Sequence, residues 1–218
     1  MDYLQITQIS SRHNLTYTES TAKWFLGRVE RSVREWKRLA SLRFYQDPNL
    51  LPTSTLPVIQ IENYKGEGAW FDEHYTLPEG RLLDLFKVGI YLFVSLRLRA
   101  LFEEAAVEAY FTEVAVTIKG EPYPEPYYLL CPRDMLPVFD EENSLFTTET
   151  DTSGKLQIGS VEHYVLLNDE IPENQKMFYV HLNGGFRPLM LRSDIVEKIK
   201  NSGMTGIKYT PVDEMRSI

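Results

Sequence analysis

The sequence predicts an α+β fold: a mixed, mostly antiparallel sheet with short covering helices, together with an N-terminal amphipathic helix. Three observations predict it. Short segments rich in β-branched and aromatic residues are separated by turn residues, two short helical patterns each follow a serine, and a longer helical pattern stands near the N-terminus. The 218 residues are 43% hydrophobic and 25% charged, which suits a globular protein with a sizeable core. This composition excludes a disordered, collagen-like or disulfide-scaffold protein.

The N-terminal part contains one predicted strand and one long predicted helix. The strand lies around Tyr3–Ile9. The helix spans residues 22–43, because apolar residues recur there every three or four positions and form a single stripe. It ends before Asp47-Pro48, since a residue that precedes proline disfavours helical backbone.

The middle of the chain alternates short strands with one helix. Ser95 is the predicted N-cap of a helix that runs from Leu96 to about Ala105, with its apolar residues at helical spacing. The proline-rich segment Glu121–Pro126 is predicted as a stiff extended link. The predicted strands of this part are Val58–Ile61, Ile90–Val94, Phe111–Ile118 and Tyr127–Cys131.

The C-terminal part carries the clearest hairpin signal. Asn183-Gly184-Gly185 separates two apolar segments and predicts a tight turn between two strands. Ser193 is the predicted N-cap of a second short helix, and Gly203 is predicted to end that helix. The polar tract Thr147–Gly154 is predicted as an exposed loop. The predicted strands are Val161–Leu167, Met177–His181, Leu189–Leu191 and Ile207–Val212, and the helix covers Asp194–Asn201.

The two strand–helix–strand segments resemble each other at an offset of 98 residues. When they are aligned without gaps, serines coincide at both helix starts, and apolar residues coincide along the helices and the following strands. The matched pairs are Ser95 with Ser193, Leu98 with Val196, Leu101 with Ile199, Phe111 with Tyr209 and Val114 with Val212. The sequence therefore predicts two units related by a weak internal repeat, in which each helix covers a sheet with its apolar face.

The chain is expected to comprise an N-terminal segment, residues 1–60, and a main α+β domain, residues 61–218. The N-terminal segment contains the basic helix 22–43. The apolar stripe of that helix predicts that it packs on the main domain, because an amphipathic helix buries its apolar face.

The net charge of −8 is unevenly distributed along the chain. Lys23–Arg43 holds seven basic and two acidic residues, a net charge of +5. Asp140–Gln175 holds nine acidic residues and one basic residue, a net charge of −8. An acidic surface speeds association with a basic partner and repels nucleic acid and anionic lipid, although such charge also serves as an ordinary solubilising surface.

The sequence lacks a recognisable catalytic, cofactor or metal pattern. Cys131 is the single cysteine, so an internal disulfide is excluded, and burial is favoured over a catalytic role. The four histidines lack the spacing of metal ligands. The N-terminus does not read as a secretory signal, and no apolar run approaches the roughly 20 residues of a membrane span. We expect a cytoplasmic protein without cofactor, metal or membrane association.

Two functions other than protein binding stay open on the residues alone. Asp140 or Glu142 together with a histidine would form the site of an enzyme, although adjacent acids on a loop rarely converge on one reacting atom. The basic helix 22–43 and its aromatic residues would suit a regulator that binds nucleic acid. Two glutamates interrupt that helix and the chain is acidic overall, so we expect no nucleic-acid partner.

Several landmarks follow one another in a fixed order between about residues 75 and 215. They are Leu77-Pro78-Glu79-Gly80, Val94-Ser95, Tyr127-Tyr128-Leu129-Leu130, Val138-Phe139-Asp140-Glu141-Glu142-Asn143-Ser144, Leu191-Arg192-Ser193, Gly203-Met204-Thr205-Gly206 and Tyr209-Thr210-Pro211. In this order and spacing the chain resembles the bacterial polymorphic-toxin immunity proteins, a family first described from a myxobacterial immunity-type domain. Ala105-Ala106 departs from the pattern, which has a glycine after the first helix.

The resemblance implies an antitoxin that binds and neutralises a cognate bacterial toxin effector and is not an enzyme. The toxin would be encoded by an adjacent gene, and the family has no catalytic motif. We expect the acidic stretch 140–175 to contact a basic toxin, with nearby aromatic side chains as anchors. The candidate partner-binding residues are Asp140, Glu141, Glu142, Asp169, Glu170, Glu173, Tyr123, Tyr127, Phe139 and Phe146. The sequence predicts no particular oligomeric state.

Overall fold

A computed structural model describes residues 2–8, 58–61, 82–88, 91–118, 121–183 and 187–216. The predicted helix 22–43 lies outside the described residues, as does the centre of the predicted Asn183-Gly184-Gly185 turn. The chain divides into two units. The first unit comprises Met1–Thr7, Pro132–Ser202 and Lys208–Ile218, and the second comprises Gln8–Cys131 and Gly203–Ile207.

The described residues form an α+β fold, as predicted, with mixed and antiparallel sheets and two α-helices. The strands are β1 (Tyr3–Gln8), β2 (Val58–Ile61), β3 (Leu85–Val88), β4 (Tyr91–Ser95), β5 (Ala109–Ile118), β6 (Glu121–Pro122), β7 (Tyr127–Pro132), β8 (Met135–Leu136), β9 (Leu145–Thr150), β10 (Leu156–His163), β11 (Met177–Val180), β12 (Leu189–Arg192) and β13 (Ile207–Pro211). The helices are α1 (Leu96–Glu104) and α2 (Ser193–Asn201), and 3₁₀ turns cover Asn168–Glu170 and Val212–Glu214. Neither α1 nor α2 is long and apolar enough to span a bilayer, and no other described segment is a longer helix.

The first unit is built on a five-stranded sheet in the order β13-β1-β12-β11-β8. Strands β11 and β12 form the predicted antiparallel hairpin, with Met177 opposite Leu191. Strand β1 pairs antiparallel with the other side of β12, and β8 pairs in parallel with β11. Because β11 is buried at every position, it reads as a continuous apolar segment rather than an alternating one. The core cluster consists of Tyr3, Val138, Phe139, Ile158, Val161, Tyr164, Leu166, Ile171, Phe178, Val180, Leu182, Met190 and Met215.

The tract Thr147–Gly154, predicted as an exposed loop, instead belongs to a second hairpin of the first unit. Strands β9 and β10 pair antiparallel, with Thr150 opposite Leu156. Only residues 151–155 form the turn, where one Asp151 carboxylate oxygen accepts hydrogen bonds from two backbone N–H groups of the loop, at 2.8 and 2.9 Å. The loop prediction holds for residues 151–154 and was wrong for Thr147–Thr150, because it weighed the polarity of the threonines above the strand preference of their branched side chains.

The strand predicted at Val161–Leu167 is displaced toward the N-terminus. Strand β10 ends at His163, and two register shifts each place one extra residue on β10. The chain after β10 pairs elsewhere, because Leu166 lies opposite Phe139 in an isolated antiparallel bridge. The apolar residues of the predicted strand Val161–Leu167 therefore belong to two different strand pairings. Hydrophobic periodicity does not show where one pairing ends and the other begins.

Helix α2 begins one residue earlier than predicted. Arg192 occupies the N-cap without a side-chain cap bond and Ser193 is the first helical residue, so the predicted Ser193 cap is wrong. The Arg192 guanidinium instead donates to both carboxylate oxygens of Asp194, at 2.6 and 2.9 Å. An acid in the first turn suits the positive end of the helix dipole. After the C-cap, Gly203 adopts a φ of +62°, which ends the helix as predicted.

The second unit is built on a six-stranded sheet in the order β2-β5-β7-β4-β3, with β6 paired to β5. Strands β2 and β5 are parallel, and β4 is antiparallel to both β3 and β7. Strand β3 is absent from the sequence-based predictions, because Asp84 and Lys87 interrupt the apolar run in which it lies. The most deeply buried side chains of this unit are Leu83, Leu85, Phe86, Phe93, Val94, Leu98, Phe102, Val114, Tyr127, Leu129 and Leu130.

Helix α1 begins at the predicted serine cap. The Oγ of Ser95 accepts a hydrogen bond from the backbone N–H of Leu98 at 3.2 Å, and the helix buries Leu98 and Phe102. After the helix ends at Glu104, Ala106 adopts a φ of +48°. This left-handed region favours glycine, so at this position the chain keeps the backbone path that glycine would follow and accepts the strain of a Cβ.

A buried carboxylate connects β3, α1 and the segment Gly203–Ile207 within the second unit. Asp84 is 5% exposed. It accepts hydrogen bonds from Ser95 Oγ (2.6 Å), from the Arg97 guanidinium (3.1 and 2.7 Å) and from the backbone N–H and hydroxyl of Thr205 (2.8 and 2.9 Å). Burial acts to raise the pKa of Asp84, but these hydrogen bonds, Arg97 foremost, outweigh it and hold the pKa below its usual value. The ionised carboxylate therefore fixes three separate segments.

Gly206 sets how closely the segment Gly203–Ile207 approaches β3, and its substitution tests that approach. Its φ is +84°, and a Cβ there would collide with the Leu85 carbonyl oxygen and lie 2.7 Å from the Cβ of Leu83. We expect Gly206→Ala to lower the free energy of unfolding by at least about 3 kcal/mol. Gly203→Ala is the matched control, because its φ is +62° and nothing lies within 4 Å of an added Cβ. The control should cost about 1 kcal/mol. Urea denaturation measures both, and equal losses would contradict the close approach.

Asp84→Asn tests the buried carboxylate. We expect the variant to lose about 3 kcal/mol of unfolding free energy at pH 7, because the donors around residue 84 lose the anion to which they donate. The folded-state pKa of Asp84 lies below the unfolded-state value, so its contribution is present at neutral pH and is lost as the pH falls through the folded-state pKa. The wild-type protein should therefore lose stability below about pH 4 more steeply than the variant.

Asp194→Asn is the control for this experiment. Asp194 also pairs with an arginine, but its side chain is 51% exposed. Solvent screens such a pair, so the control should cost less than about 1 kcal/mol. Denaturation curves at several pH values measure both variants. An Asp84→Asn protein as acid-sensitive as the wild type would show that Asp84 is not the linked group.

Candidate partner-binding surface

Asp140 organises the turn that presents the first group of candidate acids. One of its carboxylate oxygens accepts hydrogen bonds from the backbone N–H groups of Glu142 and Asn143, each at 3.0 Å, and the other accepts from the Asn143 side chain at 2.7 Å. These bonds, the Asn143 side chain first, hold the pKa of Asp140 below its usual value. Glu141 and Glu142 are exposed in this turn, and their carboxylates are free to face a partner.

The second group of candidate acids lies at the other end of a short antiparallel pairing. The backbone N–H of Asp140 donates to the Val165 carbonyl at 3.0 Å, and the N–H of Leu167 donates to the Val138 carbonyl at 2.9 Å. The chain then enters the 3₁₀ turn Asn168–Glu170, which exposes two carboxylates. Because strands advance about 3.3 Å per residue, the two acidic groups are separated by about 10 Å of paired chain. They flank the pairing and do not form one cluster. The members of the second group are Asp169, Glu170 and Glu173, all exposed.

Two of the candidate aromatic residues lie beneath these acids. Phe139 is 7% exposed, and its ring centroid lies 5.6 Å from that of Tyr164 and 5.7 Å from that of Phe146. Phe146 is half-buried on the inner face of the β9–β10 hairpin. Phe139 therefore supports the acidic turn from the core, while Phe146 reaches the surface with part of its ring.

Tyr123 and Tyr127 belong to the second unit. Tyr127 is 1% exposed and its hydroxyl donates to the Leu83 carbonyl at 3.0 Å. The hydroxyl of Tyr123 accepts from the backbone N–H of Leu82 at 3.2 Å, and the two tyrosine rings lie 5.8 Å apart. The structure thus brings these two residues together as packing partners, and Tyr123 alone is partly accessible.

An exposed hairpin stands beside the first acidic group and is absent from the sequence-based predictions. Leu145, the first residue of β9, and Leu156, which lies opposite the last, are each 58% exposed. Every residue of β9 except Phe146 is exposed. The three threonines of β9, Thr147, Thr148 and Thr150, are the signal that would have found this strand, because β-branched residues favour extended backbone.

The first unit also contains an open cavity of about 570 Å³. His163, Ser193 and Asp213 are among its lining residues. None of the hydrogen bonds or ion pairs made by the described residues joins two of these three side chains. Asp140 and Glu142, the carboxylates considered for an enzyme, do not line the cavity.

Cys131 does not have the properties of a nucleophile. Burial raises the pKa of its thiol to about 12, so the thiol is neutral at pH 7. A reactive cysteine requires the thiolate and access to solvent. Across the part of the chain that the structure describes, no three His, Cys, Asp or Glu side chains are placed to hold a metal ion.

Comparison with known proteins agrees with the resemblance seen in the sequence. The family model of the immunity protein family Imm11 matches residues 25–214. No curated protein matches the chain. The family match includes most of both units, and it covers both acidic groups and the exposed hairpin completely. The chain is therefore a member of the Imm11 immunity protein family.

Proposed function

We propose that the chain neutralises its toxin by occupying part of the toxin's surface with the acidic stretch 140–175, without chemical turnover. Membership of an immunity protein family implies toxin neutralisation and a cognate toxin as the partner, and this membership carries the proposal. The choice of surface is supported by the net charge of −8 in the stretch and by the exposure of its glutamates, including Glu141 and Glu142.

The charge of the stretch favours a toxin with a basic site. Complementary charge speeds the encounter of two proteins and disfavours wrong partners. A toxin that cleaves nucleic acid or consumes nucleotides in the cytoplasm needs a positively charged cleft that attracts phosphates. An acidic protein surface is attracted to the same positive charge and therefore competes with the phosphates for the cleft. The proposed partner is therefore a toxin of this kind, encoded beside the gene for this chain.

Apolar anchors complete the proposed contact. Tight protein–protein binding buries about 1,600 Å² and depends on a few large side chains near the centre. Phe139 and Tyr127 are buried, so they serve the fold. Phe146 and the exposed Leu145 supply apolar area next to the acidic turn, and the exposed Leu156 adds apolar area at the far end of the hairpin. This arrangement supports the hairpin side of the acidic stretch as the centre of the contact.

We also infer that the two units are related by an internal repeat. The support is topological. In each unit an antiparallel hairpin, β3–β4 or β11–β12, leads into a short helix and then into a strand two places away in the sheet. The strand between, β7 or β1, is antiparallel to the one before the helix. The N-caps are Ser95 and Arg192, which places the helices 97 residues apart, one fewer than the ungapped sequence alignment uses.

Cells that make this chain should survive the toxin encoded beside its gene. Growth after induction of the toxin, with and without the chain, measures protection, and co-elution with a catalytically inactive toxin measures binding. Because the proposed mechanism is occupancy, protection should require at least as many copies of the chain as of the toxin. Protection at far lower ratios would indicate turnover, and an absence of protection against every neighbouring toxin would refute the proposal.

Reversing exposed charge at the Asp140 turn should slow association with the toxin. Glu141→Lys combined with Glu142→Lys leaves the Asp140 carboxylate, which holds the turn, in place. We expect the association rate to fall about tenfold at low salt and its salt dependence to become shallower, because steering charges are lost. Glu113→Lys combined with Glu121→Lys makes the same change in net charge at exposed residues of the second unit. Stopped-flow binding at several salt concentrations compares the two, and an equal slowing would mean that only total charge matters.

A further inference from the structure

We propose that the toxin docks on the open edge of β9 by adding an extended strand that carries basic side chains. This inference rests on the proposed function and names the part of the acidic stretch that makes the main contact. It is argued from the backbone groups that β9 leaves unpaired, from the exposure of its side chains and from the charge around it. Recognition by strand addition derives affinity from main-chain hydrogen bonds and specificity from alternate side chains.

The backbone of β9 has hydrogen-bonding groups that point away from β10. The N–H of Asp151 donates to the Lys155 carbonyl at 2.9 Å, which starts the hydrogen-bonding pattern of the hairpin. In an antiparallel pair such bonds alternate, so Thr148 and Thr150 direct their N–H and C=O groups outward. Ile158, opposite Thr148, agrees with this pattern, because its N–H donates to the loop after β11 and not to β9. Among the described strands, none but β10 pairs with β9.

Apart from one charged residue, Glu149, the edge of β9 lacks the features that usually block strand addition. Natural edges are protected by charged side chains, lysine above all, and by proline, bulges or short length. Strand β9 has the sequence LFTTET over six residues, and the extra residues of both register shifts lie on β10. Thr147, Thr148 and Thr150 are exposed, and Leu145 and Leu156 place exposed apolar side chains at the two ends of the strand. The edge is therefore regular and accessible along its length.

The negative charge around β9 favours a basic strand as the partner. Residues 140–163 contain six acids and one base, a net charge of −5. Glu149 lies on β9 itself, where its carboxylate accepts a hydrogen bond from the Gln157 side chain at 2.8 Å and so leaves the backbone edge open. A residue directly opposite on an added strand would lie about 5 Å away, which favours lysine or arginine and disfavours an acid. A second copy of this chain would bring two such acidic surfaces together, so a basic strand of the toxin fits better.

Thr148→Pro tests the edge with the full-length chain and the catalytically inactive toxin. Proline removes an N–H that the hairpin does not use, and it is compatible with an edge strand whose N–H faces solvent. We expect the dissociation constant for the toxin to rise at least about tenfold, since one main-chain bond is lost and the pyrrolidine ring obstructs an added strand. Thr148→Val is the matched control, because it keeps the N–H and the branched shape, and it should bind within about twofold of the wild type.

Amide exchange of the wild-type protein provides a second measurement, which does not depend on whether the proline variant folds. In the free protein the N–H groups of Thr148 and Thr150 should exchange rapidly, whereas that of Glu149, which is paired with Gln157, should be slow. On addition of the inactive toxin, NMR should show slowed exchange at Thr148 and Thr150. Unchanged exchange at both positions in the complex overturns the inference.

The outcomes separate this inference from the proposed function. A wild-type chain that binds no neighbouring toxin refutes the proposed function. A wild-type chain that binds, together with a Thr148→Pro chain that binds equally well, refutes only the docking edge. A dimer of the free chain that Thr148→Pro dissociates would also overturn the inference, because the edge would then belong to a second copy.

Discussion

The Asp84 carboxylate ties together parts of the second unit that are far apart in the sequence. It lies directly before β3, accepts a hydrogen bond from Ser95 at the N-cap of α1, and bonds Thr205, which is 121 residues further along the chain. A carboxylate removed from water is unfavourable unless its hydrogen-bonding capacity is filled, so the three segments must be placed together. Gly206 adds a steric condition, because a Cβ there would meet β3. The Asp84 carboxylate and the absence of a side chain at Gly206 thus independently specify the same contact, between β3 and the segment Gly203–Ile207.

Local signals in the sequence predicted the elements that are stabilised locally. The serine cap of α1 and the hairpin around Asn183 depend on neighbours within a few residues, and both occur where they were expected. Strand β3 was missed because the charge of Asp84 appears unfavourable in a buried run until its distant partner Thr205 is known. The predicted Ser193 cap of α2 was wrong by one residue, because helical spacing alone does not distinguish Arg192 from Ser193 as the residue before the first turn.

The candidate partner-binding surface likewise has some features that the sequence predicted and others that it did not. The charge of residues 140–175 and the exposure of Glu141 and Glu142 follow from composition, since charged side chains rarely stay buried without a partner. Which aromatic side chains reach the surface does not follow, because proximity in sequence does not distinguish Phe139 in the core from Phe146 at its margin. The sequence also did not predict the open edge of β9, because an open edge depends on which strands have only one neighbour in the folded sheet.

The dependence of Asp84 on Thr205 has a consequence for biosynthesis. A ribosome adds about 5–20 residues per second, so the 121 residues that separate the two take roughly 6–24 s to make. During that interval Ser95 and Arg97 are already synthesised and can donate to the Asp84 carboxylate. Thr205, which supplies two of the five donors, is not yet synthesised. The final consolidation of this half of the antitoxin therefore waits for the late part of translation, and a ribosome that stalls before residue 205 would leave it incompletely formed.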